Sequence, residues 1–281
     1  MNITVSQISD KIRELILTAE FNIPENIESA TREALLRETN PQGRFALTQI
    51  LENQRIARDE QTPICQDTGM IVVFAEVGQD ARITGGAFDD AIQDGVRRAY
   101  RDGYLRASIV DDPLFDRRNT RDNTPAVVHV SLVEGEGVHF TVLCKGFGSE
   151  NMSRAAMLTP AAGVQGVEDF IVETARLAGG NPCPPIVLGV GVGGSLDSCA
   201  VMAKRETARS VGERNPDPNY AGLEERCLLR INDLGIGAVG FGGNTTAFAV
   251  NIKSAPTHIA GLPVVVNVSC HATRYAEGGL P

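Results

Sequence analysis

Gly179-Gly180-Asn181-Pro182-Cys183-Pro184-Pro185-Ile186-Val187-Leu188-Gly189-Val190-Gly191-Val192-Gly193-Gly194 joins a thiol enclosed by prolines to an apolar run and a glycine repeat. Ile186 to Val190 has strand composition, and a helical pattern follows through about Ser210. The glycines from Gly189 to Gly194 fit GxGxxG between an apolar run and a helix. Three readings follow: a dinucleotide-binding loop, a backbone that approaches an anion closely, or tight packing of helix on strand. Three prolines crowd the start, no Walker lysine follows, and Glu213 does not end a second strand. Those features favour the second and third readings over the first.

Upstream, Ala161 to Ala178 reads as a helix stopped by Gly179-Gly180. Ala126 to Val133 and Val138 to Cys144 read as strands joined by Glu134-Gly135-Glu136-Gly137, which predicts a hairpin. Ile71 to Val77 is a strand candidate and Phe88 to Tyr100 a helix. The first sixty residues are helical in pattern, with Val5, Ile8, Ile12 and Leu15 at helical spacing. Downstream, Tyr220 to Leu234 reads as a helix, and Thr245 to Ile252 and Pro263 to Val268 as β-structure. No internal repeat and no linker stands out. The expectation is an α/β or α+β fold with a mixed sheet, forming one domain over 1–281 with 1–60 as its helical N-terminal region.

Charge and composition narrow the function classes. The formal net charge is -9. The arginines between Arg97 and Arg121 are broken by Asp102, Asp111, Asp112 and Asp116, so no basic stripe offers itself to nucleic acid. With no tryptophan and four tyrosines, a base-stacking platform is poorly supplied. No apolar run is long enough to span a membrane, and the amphipathic start lacks the apolar core of a signal peptide. Six scattered cysteines do not resemble a disulfide framework in a chain of 281 residues. A cytoplasmic location is expected.

Three thiols stand in unusual settings. Cys65 sits in Pro63-Ile64-Cys65-Gln66-Asp67-Thr68-Gly69, where thiol, amide, carboxylate and hydroxyl are consecutive and a loop could aim several at one point. Cys183 lies between Pro182 and Pro184, where little backbone freedom remains to lose. Cys270 ends the apolar run Pro263 to Val268, at a sheet end. Cys65 and Cys183 each read equally as a buried structural cysteine. The separations, 118 residues from Cys65 to Cys183 and 87 from Cys183 to Cys270, fit no local metal knuckle. Cys144, Cys199 and Cys227 read as core residues. Two further glycine stretches, Lys145 to Asn151 and Gly235 to Thr246, read as loops whose backbone approaches a ligand or another segment, or as plain flexible loops.

Taken together, CQDTG at Cys65, KGFGSENMS at Lys145, NPCPPIVLGVGVGG at Asn181, GFGGNTTA at Gly240 and THIAGLPVVVNVSCHATR at Thr257 resemble the class I fumarase and tartrate dehydratase family of iron–sulfur hydro-lyases. The chain resembles the α subunit of that family. Phe147 stands where the family's KGGGSEN pattern has glycine. The resemblance implies a [4Fe–4S] cluster held by Cys65, Cys183 and Cys270. It implies Gln66, Asp67, Arg106, Gly148 and His258 at a small dicarboxylate substrate, with Asp67 and His258 catalytic. It also implies a separate β subunit that completes the active site, since the chain ends at Pro281 soon after the third cysteine. A higher oligomer follows from that organisation. Hydration of fumarate to malate is the leading activity, with a place in the tricarboxylic acid cycle, and L(+)-tartrate dehydration is the alternative. Two other classes stay open: a nucleotide-binding protein built on Gly189 to Gly194, and a non-catalytic iron–sulfur subunit or redox sensor.

Overall fold

The computed structural model describes residues 2–281. In chain order the elements are β1 (Asn2–Thr4), α1 (Val5–Phe21), α2 (Glu25–Arg37), α3 (Pro41–Glu60), β2 (Met70–Gly78), β3 (Arg82–Thr84), α4 (Phe88–Asp102), β4 (Val127–Val133), β5 (Val138–Lys145), α5 (Phe147–Glu150), β6 (Arg154–Leu158), α6 (Gly163–Ala178), β7 (Ile186–Gly193), α7 (Leu196–Glu206), α8 (Pro218–Asn232), β8 (Ala247–Ala255), β9 (Leu262–Ser269) and β10 (Tyr275–Leu280). The chain divides into two compact units. One comprises Met1–Pro24, Gln54–Phe147 and Arg274–Pro281, and the other Glu25–Asn53 and Gly148–Thr273. The helical pattern of the first sixty residues is observed, and its helices are shared between the units.

The first unit is built on a sheet of order β10-β5-β2-β4, with β2 parallel to β4 and antiparallel to β5. Alternate residues Ile71, Val73, Ala75 and Val77 of β2 meet Phe140 and Val142 of β5 in one core. That core is closed by Ile8, Ile12, Leu15 and Ile16 of α1 and by Ile92, Val96 and Ala99 of α4. α1 begins at a capping box in which Thr4 and Gln7 satisfy each other's backbone amides. The hairpin expected between Ala126–Val133 and Val138–Cys144 does not form, because β2 lies between β4 and β5. β2 is apolar on both faces and takes the central place. The Glu134–Gly137 link instead wraps the end of β2, with Gly78 N donating to Gly137 O at 2.8 Å and Gln79 N to Val133 O at 2.8 Å.

The second unit carries a sheet of order β6-β9-β7-β8, also mixed in direction. Leu188, Val190 and Val192 of β7 and Val264, Val266 and Val268 of β9 pack with Ile171 of α6 and Leu223 and Ile231 of α8. On its opposite face β7 is bare at Gly189 and Gly191, and α7 lies there. A Cβ at Gly191 would stand 2.2 Å from Cys199 O, and one at Gly189 2.0 Å from Ala203 O. The glycines of GVGVGG are therefore strand residues through Gly193, and α7 starts only at Leu196. Of the readings open in the sequence, tight helix–strand packing is the observed one. A dinucleotide loop needs its glycines in the turn after the strand, and here alternation along the strand uses them to admit a helix.

Candidate functional site

In the first unit the Cys65–Gly69 turn is fixed at Asp67, Thr68 and Gly69, and at Ile64 just before it. Ile64 N donates to Glu20 O at 3.0 Å. Asp67 Oδ1 accepts from Gly69 N at 3.0 Å and Oδ2 from Phe147 N at 2.8 Å, so both carboxylate oxygens are oriented by backbone amides. Thr68 is buried, and its hydroxyl donates to Arg106 O at 2.8 Å. Gly69 adopts φ +77°, and a Cβ there would lie 2.6 Å from the Lys145 carbonyl carbon. Only glycine meets both conditions. Its carbonyl is held by Tyr100 Oη at 3.0 Å and Asn123 Nδ2 at 3.0 Å. Cys65, Gln66, Asp67 and Arg106 are thus brought together on one tied backbone. Gln66 and Arg106 are exposed, and Cys65 and Asp67 are half-buried.

In the second unit Cys183 sits in the left-handed region at φ 53°. Its carbonyl accepts from His271 N at 3.1 Å, joining its turn to the one that carries Cys270. Pro184 O accepts from Val239 N at 2.8 Å, so the third glycine stretch braces the same turn. That stretch is in turn held by buried Glu38, which accepts from Asn244 N at 2.9 Å and from Asn40 N at 2.8 Å. The segment close to its backbone is the protein's own. His258 is exposed, and its Nδ1 accepts from Ala260 N at 3.2 Å, which assigns the ring proton to Nε2. Thr257 Oγ1 donates to Gly194 O at 2.8 Å. Gly148 is exposed, and nothing lies within 4 Å of where its Cβ would be. The neighbouring Glu150 is fixed by Lys204 and by Asn267 Nδ2 at 2.9 Å.

Among the described residues no three His, Cys, Asp or Glu side chains form a metal-holding group. The six cysteines nevertheless divide sharply by access. Cys65, Cys183 and Cys270 lie on turns and reach solvent, whereas Cys144, Cys199 and Cys227 are buried. None is in a disulfide. Burial pushes the Cys227 thiol up to about 12 and raises Cys144 and Cys199 as well. The thiols left accessible to iron or sulfide are Cys65, Cys183 and Cys270.

Two residues with a clear structural part lie outside the sequence-derived set. Arg274 Nη2 donates to Asp67 O at 2.6 Å, and its Nη1 donates to Glu20 Oε2 at 2.9 Å. The signal for Glu20 is its phase, since it continues the buried row Ile8, Ile12, Ile16 at intervals of four. A carboxylate at that phase requires a buried partner.

The fold is mixed α/β, and the matches with known proteins place the chain among the hydro-lyases. The chain belongs to the fumarate hydratase family: the profile described as "Fumarate hydratase (Fumerase)" matches residues 9–278. It is 38% identical over 276 residues to a Methanocaldococcus jannaschii protein named "Putative L(+)-tartrate dehydratase subunit alpha", covering 96% of each chain. It is similar at 30% identity over 274 residues to the L(+)-tartrate dehydratase subunit alpha of Escherichia coli UTI89, and at 29% to that of strain K12, covering 96% of this chain and 89% of each relative. No helix among the described residues is long and apolar enough to cross a membrane.

Proposed function

We propose that the chain is the α subunit of a hydro-lyase that reversibly hydrates fumarate to malate, with a separate β subunit completing the active site. The observation that carries this reading is the division of the thiols, with the three motif cysteines accessible on turns and the other three buried. Cys65, Cys183 and Cys270 would hold a [4Fe–4S] cluster. Bound there, the cluster supplies an open iron as a Lewis acid for the substrate's hydroxyl or water.

The remaining work falls to side chains of this chain. The exposed Arg106 guanidinium pairs with a substrate carboxylate in a two-pronged contact. His258, protonated at Nε2 by virtue of the Ala260 amide on Nδ1, donates to a carboxylate oxygen. Gln66 offers an amide to the same substrate, and Gly148 leaves its backbone open to close approach. Asp67, held at both oxygens, takes part in moving the proton that leaves the carbon beside a carboxylate. The chain acts as one functional domain over 1–281, in the cytoplasm, within a larger symmetric assembly. The "subunit alpha" names of its relatives support the second subunit.

The same names favour a second reading, dehydration of L(+)-tartrate, whose substrate has the same four-carbon dicarboxylate frame. The test is anaerobic reconstitution of the full chain with iron and sulfide, followed by absorption and electron paramagnetic resonance spectra. Loss of the cluster signal in Cys65→Ala, Cys183→Ala and Cys270→Ala, but not in Cys199→Ala, is expected. A folded wild type that assembles no cluster overturns the reading. Turnover of fumarate, L-malate and L(+)-tartrate, assayed with the second subunit present, then decides the substrate.

A further inference from the structure

Arg274 and Glu20 are a fully buried ion pair in the first unit, with side chains 1% and 0% exposed. Such a pair is a poor choice for stability alone. Desolvating two charges consumes most of their attraction, and an apolar pair of the same volume often does as well. What an apolar pair cannot do is donate to a carbonyl. The guanidinium fork divides its work: Nη1 meets Glu20 Oε2 at 2.9 Å, and Nη2 meets the Asp67 carbonyl at 2.6 Å. Glu20 contributes at both ends, because its own carbonyl accepts Ile64 N at 3.0 Å. The residues on either side of Cys65 and Gln66 are therefore anchored to one buried pair. Arg274 is itself placed by the sheet, where its carbonyl accepts Cys144 N at 3.1 Å.

We propose that Arg274, held in place by Glu20, is a positioning residue that sets the Cys65–Gly69 turn and so aims the Cys65 thiol and the Asp67 carboxylate. The importance of that aim rests on the function proposed above; the anchoring itself does not. The planar fork suits two partners at once, and a lysine ammonium in its place keeps the charge but not the geometry.

Amide hydrogen exchange on the full chain, without cluster, tests this. The reporters are the amides of Gly69 and Phe147, both of which donate to Asp67. Val190, deep in β7, serves as the control. Arg274→Lys is expected to speed exchange at Gly69 and Phe147 by about tenfold or more and to leave Val190 unchanged. The double variant Glu20→Gln/Arg274→Met buries no charge and is expected to loosen the same two amides, which keeps the test open should the lysine variant fold poorly. Wild-type exchange at Gly69 and Phe147 in either folded variant overturns the proposal and leaves the pair as a core element only. Cluster assembly on the same samples separates the two ideas. A wild type that takes up no iron removes the ligand reading and leaves the exchange result standing.

Discussion

The Cys65 turn of the first unit is held mainly by side chains, and the Cys183 turn of the second mainly by backbone against backbone. Around Cys65 the ties are the turn's own Asp67 carboxylate and Thr68 hydroxyl, and the Tyr100 phenol, Asn123 amide and Arg274 guanidinium that reach it from elsewhere in the chain. Around Cys183 they are carbonyls and amides of neighbouring turns, on a sheet whose bare glycines let α7 close in. The two designs should fail differently. A turn held by several hydrogen bonds gives way in increments, since each bond is worth about 1 kcal/mol net. A helix seated on glycine has no intermediate position, because an added methyl cannot share space with a carbonyl oxygen.

The largest effect is therefore expected from Gly191→Ala. Its Cβ would fall 2.2 Å from Cys199 O, which is backbone and cannot rotate away. A loss of about 3 kcal/mol or more is expected, at the upper end of overpacking costs, read as a lower urea midpoint. Gly148→Ala is the matched control, since its Cβ meets nothing within 4 Å, and its stability should stay within about 0.5 kcal/mol of wild type. Equal stability of the two variants would show that α7 does not depend on the glycine face.

The two modes also differed in how visible they were in the sequence. Helices with strong periodicity, such as α1 and α4, were legible because their patterns come from burial of one face, and β2 was legible as a short continuous apolar run. The motif residues of the Cys65 turn were legible as a consecutive set of chemically distinct side chains, and the structure ties Arg106 to that turn through Thr68. The place of β2 between β4 and β5 was not, because strand order depends on which strand is apolar on both faces rather than on sequence proximity. For GVGVGG the sequence left helix–strand packing and close approach to an anion both open, although its alternation of glycine and valine is a strand period. Arg274 and Glu20, 254 positions apart, were invisible as a pair, and only the phase of Glu20 on α1 hinted at it.

A middle-sized effect concerns pH. Burial pushes the Glu20 carboxyl up to about 7, outweighing the pull of the Arg274 guanidinium and the hydrogen bond from Cys144; Asp67 adds to the rise. Tyr100 also faces this cluster, and its own phenol is held well above its usual range. Between about pH 4.5 and 7 the folded chain thus keeps a proton on Glu20 that the unfolded chain has released. The stability this gives is fully present below pH 4.5 and is lost as pH rises to about 7, at no more than about 1.4 kcal/mol per pH unit. Glu20→Gln removes the group, so the pH dependence of its urea midpoint should be flatter than that of wild type across this window. Parallel curves for the two proteins would mean that Glu20 ionises at its ordinary value inside the fold.

The smallest effect sharpens the comparison most. Thr68 is 1% exposed, and its hydroxyl makes one 2.8 Å bond, to Arg106 O. Thr68→Val keeps the shape and removes that bond alone, while Tyr100, Asn123 and Arg274 still hold the turn. A loss of about 1 kcal/mol in urea unfolding is expected. The freed segment at Arg106 should show faster amide exchange at Ser108, which follows it and donates to Asn123 Oδ1 at 2.7 Å. Gly69 should exchange as in wild type, because its own ties are untouched. If Thr68→Val instead loosened Gly69 as much as Arg274→Lys does, the polar turn would behave as one all-or-none unit. The contrast between side-chain ties that fail singly and a glycine seat that fails at once would then not hold.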